Sequence, residues 1–233
     1  MPDFEDPRTI KLIDAARQII RETGTFDLPM RQLAARAQVS LRTPYEMFGS
    51  KSGIITAILR RDQATFRVIA REFKAKNILE IMFDQAMAGV EFYTHEQSFY
   101  RALFRATQGY SGADGIEPAR EVLPLYTNIC RRGIEEGHIR PEIGPAALAG
   151  TLTDIFAANL RDWSLSNFDI MLAGNRICYG FAIALAGAVA DPWVPQIRAR
   201  VIDFQRATQA LEEVERVRAA EAARAAQAAD VTA

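Results

Sequence analysis

Val39-Ser40-Leu41-Arg42-Thr43-Pro44-Tyr45-Glu46-Met47-Phe48-Gly49-Ser50-Lys51 is the stretch of this 233-residue chain on which its reading turns. A helix that enters the major groove of DNA needs one exposed face of short or basic side chains and one apolar face that locks it to a partner helix. Leu41, Arg42 and Pro44 with Tyr45 supply the first face, and Met47 and Phe48 supply the second. Ser40 is placed to cap the free N–H groups of Leu41 to Thr43, and the helix closes around Phe48-Gly49. Arg42 suits a guanine edge or a phosphate equally well, while Ser40, Thr43, Tyr45 and Lys51 suit phosphate oxygens. Lys51 stands at the next helix start, capped by Ser50, where free N–H groups also attract an anion.

Working outward towards the N-terminus, Ile10, Ile13, Ala16 and Ile20 fall at helical spacing, widened by Leu12 and Ile19, and Thr23-Gly24 is a stop signal. Pro29 sits near the first turn of a short helix through Ala37. Its inner face is Leu33, Ala34 and Ala37, and Met30 and Arg31 at its start join the candidate DNA contacts. Charge is uneven. From Pro7 to Arg61 there are ten cations and four anions, a net of +6, whereas the whole chain is −1, so the remainder is acidic. A basic head and a body that shuns polyanions follow from that asymmetry.

Towards the C-terminus the 3.6-residue period continues and no sustained period-two alternation occurs, so the fold class is all-α. Helices are expected from Lys51 to about Lys74, Ile78 to about Tyr93, Ser98 to Thr107, Ala119 to Glu136, Pro145 to Ser164 and Asp169 to Ala190. The glycines between Gln108 and Pro118 mark a loop. The organisation expected is a flexible tail over 1–6, a helix-turn-helix domain over 7–50, a helical ligand-binding and dimerisation domain over 51–204, and an Ala/Glu/Arg-rich helix or tail over 205–233.

The quoted string resembles the recognition helix of the TetR family: a small apolar residue, serine, three variable or small positions, a hydrophobic residue, tyrosine, two variable positions, phenylalanine and, soon after, lysine. Leu33-Ala34 and Ala37 match that family's preceding helix, and Gly24 with Phe26 matches the turn after its first helix. The match is dense over Pro7 to Ile58, and Glu136-Gly137-His138-Ile139-Arg140-Pro141 looks like the family's link between its seventh and eighth helices. The chain departs from the pattern at Gln38, where glycine is usual, at Leu28, where a capping threonine is common, and at Pro44, inside a short helix. The resemblance implies a sequence-specific regulator, a repressor released by a small molecule, that binds a palindromic operator in double-stranded DNA as a homodimer.

In TetR-like proteins two long helices near the C-terminus pair with their copies across a two-fold axis. Carried over, this assigns Leu152, Phe156, Leu160, Trp163, Gly174, Ile177, Cys178, Phe181 and Leu185 to the dimer interface. The middle helices are rich in aromatic and sulfur side chains, the groups that line small-molecule sites. Phe66, Phe83, Met87, Phe99, Phe104, Tyr126 and Phe156 are the candidate apolar lining, and Arg101, Arg105, Tyr126 and Asn159 the candidate polar handles for an apolar or aromatic effector. Aromatic stripes at helical spacing are usually core, and for any one of these residues core is the better reading.

Other chemistry finds little support. Two histidines, His95 and His138, and two cysteines, Cys130 and Cys178, form no cluster with metal-ligand spacing, and neither a GxSxG elbow nor a GxxxxGK[ST] loop is present. No metal, cofactor or catalytic residue is expected. The apolar run Ile177 to Ala190 is too short to span a bilayer, and unpaired cysteines fit a cytoplasmic setting. Beside the regulator stand two other readings: an architectural or nucleoid-associated DNA binder of the same family, and a helical enzyme of another class.

Overall fold

The computed structural model describes residues 4–25, 27–70, 77–108 and 118–232. Ten α-helices follow one another among them: α1 Pro7–Thr23, α2 Met30–Arg36, α3 Arg42–Phe48, α4 Lys51–Ala70, α5 Ile78–Thr94, α6 Gln97–Gln108, α7 Pro118–Glu135, α8 Pro145–Leu165, α9 Ile170–Ala186 and α10 Val194–Thr232. The all-α expectation is met. The described residues hold no strand, only an isolated bridge between Ile139 and Val189 that ties the α7–α8 link to the end of α9. Among the described residues no helix is long and apolar enough to cross a membrane. The expected extension of α4 to Lys74 and the loop over 109–117 lie outside the described residues.

The ends of the helices follow from local chemistry. Asp6 caps α1 through the Arg8 N–H at 2.8 Å, with Pro7 in the first turn, and Gly24 closes it at φ 65°. Ser50 Oγ accepts from the Gly53 N–H at 3.1 Å, as a cap for α4 should. Asn77 and Asp169 do the same for α5 and α9. Ser40 behaves differently from the expectation. α3 begins at Arg42 behind Leu41 with no side-chain cap bond. The Ser40 hydroxyl instead meets the Thr43 hydroxyl at 2.8 Å, and its carbonyl accepts from the Thr43 N–H.

Helices α1 to α3 form a small head closed by Leu12, Ile13, Ile19, Leu33 and Phe48, all buried. In the body α9 is packed on three sides, by α5, α8 and α10. Gly174 of α9 lies against Met87 and Val90 of α5, and Gly180 against Ile155 of α8. Glu80 and Phe83 of α5 meet Arg200 and Phe204 of α10, so these two helices run in the same direction. The tract from residue 205 continues α10 to its C-terminal end, anchored by Arg176 to Glu212 at 2.7 Å. From Arg216 to Gln227 every side chain is exposed.

Candidate nucleic-acid interface and sensor core

On α3 the outward residues are Leu41, Arg42, Tyr45 and Glu46, at positions i, i+1, i+4 and i+5, which is one face of a helix. Leu41 is 45% and Tyr45 49% exposed, unusual for large apolar side chains on a head that otherwise buries them. Arg42 projects fully into solvent and pairs with Glu46 at 2.6 Å. Lys51, at the first residue of α4, pairs with Asp27 at 2.8 Å. Both pairs are exposed, and exposed pairs are weak enough for a phosphate to displace. Asp27 and Glu46 thus hold these two cations, a pairing the sequence reading missed, although the i,i+4 spacing of Arg42 and Glu46 signals one of them. Arg31 and Ser40 are exposed and Thr43 is half-buried beside Ser40.

Two of the expected contacts face the wrong way. Met30 is 7% exposed and packs in the head's core, and Pro44 is buried on the same face as Phe48. Pro44 costs the helix little because it is the third residue of α3, where N–H groups have no intrahelical acceptor. Its ring serves as apolar filling. The departure at Gln38 has a backbone consequence: this residue takes φ 56°, the left-handed conformation that glycine adopts freely, and the Val39 N–H closes back onto the Ala34 carbonyl at 3.0 Å.

The head is bolted to the body by a buried polar network. The Arg17 guanidinium on α1 donates to Asp62 of α4 at 2.7 Å and to the Tyr100 hydroxyl of α6 at 3.3 Å. Tyr100 in turn donates to Asp62 at 2.9 Å. Burial pushes the Asp62 carboxyl up from its ordinary range while Arg17 and the Tyr100 hydroxyl pull it back. Arg17 also stacks over the Phe99 ring at 4.5 Å, and Arg21 holds Glu96 at 2.6 Å. Three helices therefore share one charge cluster, which fixes the head's attitude on α4 and α6.

The aromatic residues expected to line an effector site divide. Phe66 and Phe156 converge over Gly89 of α5. Tyr126 packs edge-on to Phe181 at 5.5 Å, and Phe104 lies within 6.5 Å of Trp163. Phe83 instead turns to α10, Phe99 to Arg17 and Met87 to Gly174. Two of the expected polar handles are spent elsewhere. Arg101 donates to the carbonyls of Trp163, Ser166 and Phe168, and Arg105 to that of Ser164. These carbonyls end α8, where a helix leaves acceptors unpaired and carries partial negative charge, so the guanidiniums act as its C-terminal cap. Asn159 donates to its own helix at the Ile155 carbonyl. Burial pushes the Cys130 thiol up to about 11 and the Cys178 thiol up to about 12, so both stay protonated.

The residues expected at a dimer interface are all interior to the single chain. Leu152, Trp163, Ile177, Cys178, Phe181 and Leu185 are fully buried, Leu160 and Phe156 nearly so, and Gly174 is closed in by α5. The reason is that α7, α6 and α9 cover the apolar face of α8, while α10 together with α5 and α8 covers that of α9. What α8 and α9 leave in solvent is another stripe: Ala146, Ala147, Thr151, Asp154, Ala158, Arg161, Asp162 and Leu165 on α8, with Ile183 and Ala186 on α9. Leu165 is 58% and Ile183 50% exposed.

A three-helix head whose third helix bares a mixed apolar and basic face, set on a large helical body, defines a helix-turn-helix regulator. Residues 12–58 match the family model described as bacterial regulatory proteins, tetR family. Most of the chain shares its fold with solved structures, two of them described as TetR regulators. A putative TetR-family transcriptional regulator from Syntrophomonas wolfei has TM-score 0.63 at 16% identity, over 76% of this chain and 95% of that one. TylP, a TetR regulator from Streptomyces fradiae, has TM-score 0.61 at 15% identity, over 88% and 99%. SmeT, the repressor of the multidrug efflux pump SmeDEF of Stenotrophomonas maltophilia, has TM-score 0.59 at 18% identity, over 78% and 91%. No curated protein matches. The head of this chain is a TetR-family domain, and its fold is that of TetR-family regulators.

Proposed function

We propose that this chain is a transcriptional repressor that binds a palindromic operator in double-stranded DNA as a homodimer, in the cytoplasm, and releases it when a small apolar or aromatic effector enters the body. The observation that carries the reading is the outward face of α3, where Leu41, Arg42 and Tyr45 stand exposed beside Lys51 at the start of α4. Arg42 is assigned to a base and Lys51 to a phosphate. Arg42→Ala is then expected to lose about 1–3 kcal/mol per half-site on the operator and to relax one base position. Lys51→Ala is expected to weaken operator and scrambled DNA alike and to reduce the salt slope by about one per half-site. Titration of both variants on both DNAs across salt concentrations decides it. Equal weakening on both DNAs by Arg42→Ala, with base preference intact, would remove Arg42 as a reader. Titration of the operator with and without apolar compounds tests release, for which a coupling of about 1–3 kcal/mol suffices.

The dimer is assigned to the exposed stripe of α8 and α9, since symmetric pairs reuse one self-complementary patch. Ile183→Glu places two like charges at such a patch and is expected to give folded monomers by sedimentation. Phe181→Glu, which buries a charge inside the subunit, is expected to unfold the body instead. An intact dimer of Ile183→Glu would refute the placement.

A further inference from the structure

Resting on the effector reading above, we propose that Gln85 of α5 and Thr153 of α8 are the polar handles of the effector site, which takes a neutral aromatic or apolar molecule carrying one hydroxyl or N–H group. Gln85 is 7% and Thr153 4% exposed, and neither the Gln85 Oε1 nor the Thr153 Oγ1 has a hydrogen-bond partner. A threonine inside a helix ordinarily donates to the carbonyl four residues earlier. Thr56, Thr127 and Thr151 all do so in this protein. Thr153 does not.

The fold brings the two side chains to one level. α5 runs with α10, while Arg176 and Glu212 couple α9 to α10 in the opposite direction. α8 and α9, joined by a short connection, are antiparallel, with Ile155 on Gly180. α5 and α8 therefore point the same way. They meet where a side chain at Gly89 would lie 3.3 Å from the Phe156 ring and 3.9 Å from that of Phe66. One turn back along each helix, on the same faces, stand Gln85 and Thr153. A ring-on-glycine contact between α5 and α8 thus has an unpaired polar atom one turn away on each helix.

Buried polar atoms are nearly always paired, because an unpaired one forfeits its hydration for nothing. Two together, next to aromatic rings, are the pattern of an apolar site with few convergent polar groups. The amide offers an acceptor or a donor edge and the hydroxyl offers both. The molecule they fit is uncharged, since the guanidiniums of Arg101 and Arg105 are occupied by the carbonyls that end α8.

The test uses the full chain and two probes with the same ring system, 2-naphthol and 2-methoxynaphthalene, which differ in one O–H donor. The wild type is expected to bind 2-naphthol about tenfold more tightly. In Gln85→Leu and in Thr153→Val the preference falls to within about twofold. Removing an unpaired polar atom also relieves the fold, so ligand-free Gln85→Leu melts about 2–4 °C higher than wild type. Equal affinity of the wild type for the two probes, or a preference that survives both substitutions, overturns the assignment of the handles while leaving an apolar effector site standing. Failure of the wild type to bind either probe overturns the effector reading and this inference together.

Discussion

Asp62→Ala is expected to cost about 3 kcal/mol of stability, because it leaves the buried Arg17 guanidinium with only Glu96, at 3.6 Å, as counter-charge. The Arg17 and Asp62 side chains are only 13% and 12% exposed, so water compensates neither. Tyr100 loses its acceptor in the same step. Asp14→Ala is the control. It breaks the pair of Asp14 with Arg61, also between α1 and α4 and also at 2.7 Å, but with side chains 56% and 38% exposed. Its cost is expected below about 1 kcal/mol. Denaturant unfolding of both variants checks the contrast, and equal costs would show that the Arg17 cluster is solvated rather than buried. The cluster joins α1 to α6, so Asp62→Ala also loosens the head on the body. Operator affinity is expected to fall even under conditions in which the protein remains folded.

Gly53→Ala is the second large effect. A Cβ at Gly53 would lie 1.9 Å from the Phe48 carbonyl oxygen, a backbone atom at the end of α3 that cannot swing aside as a side chain would. α3 and α4 must separate to admit it. The expected loss is roughly 2–3 kcal/mol, in the upper range for overpacking, with a displaced α3 and operator binding reduced more than about tenfold. Gly150→Ala in α8 meets nothing within 4 Å. As a helical glycine in open space it is expected to gain about 0.5–1 kcal/mol when replaced by alanine. Thermal unfolding of the two variants, with operator titration of the first, separates close approach from helix propensity. Undiminished operator binding by Gly53→Ala would mean that the spacing of α3 and α4 does not matter to recognition.

Much of the molecule was legible because it depends on short-range chemistry. The short helices of the head, their stops at Gly24 and Gly49, the cap at Ser50 and the inner faces Leu33, Ala34, Ala37 and Phe48 all follow from residues within a few positions of one another. So does the outward set of Leu41, Arg42 and Tyr45, since one face of a seven-residue helix is fixed once the opposite face is known. Pro44 escaped that logic because a proline near a helix start is compatible with either face.

The body was legible as helices and not as surfaces. Periodicity reveals that Leu152, Ile177 and Phe181 lie on apolar faces that must be covered. It is silent on whether the cover is a second subunit or another helix of the same chain, since both remove the same apolar area from water. Tertiary structure answered this by laying α7 along α8 and, from the far end of the sequence, α10 along α9. The same holds for Arg101 and Arg105: a long cation reads equally as a ligand handle or a helix cap until the end of α8 arrives beside it. Local periodicity and capping were enough for the all-α class, the three-helix head and the outward face of α3. The tertiary structure alone decided which apolar faces are interior, which cations are already engaged and which buried polar atoms stand unpaired, because those depend on contacts between residues up to more than a hundred positions apart, such as Glu80 and Arg200.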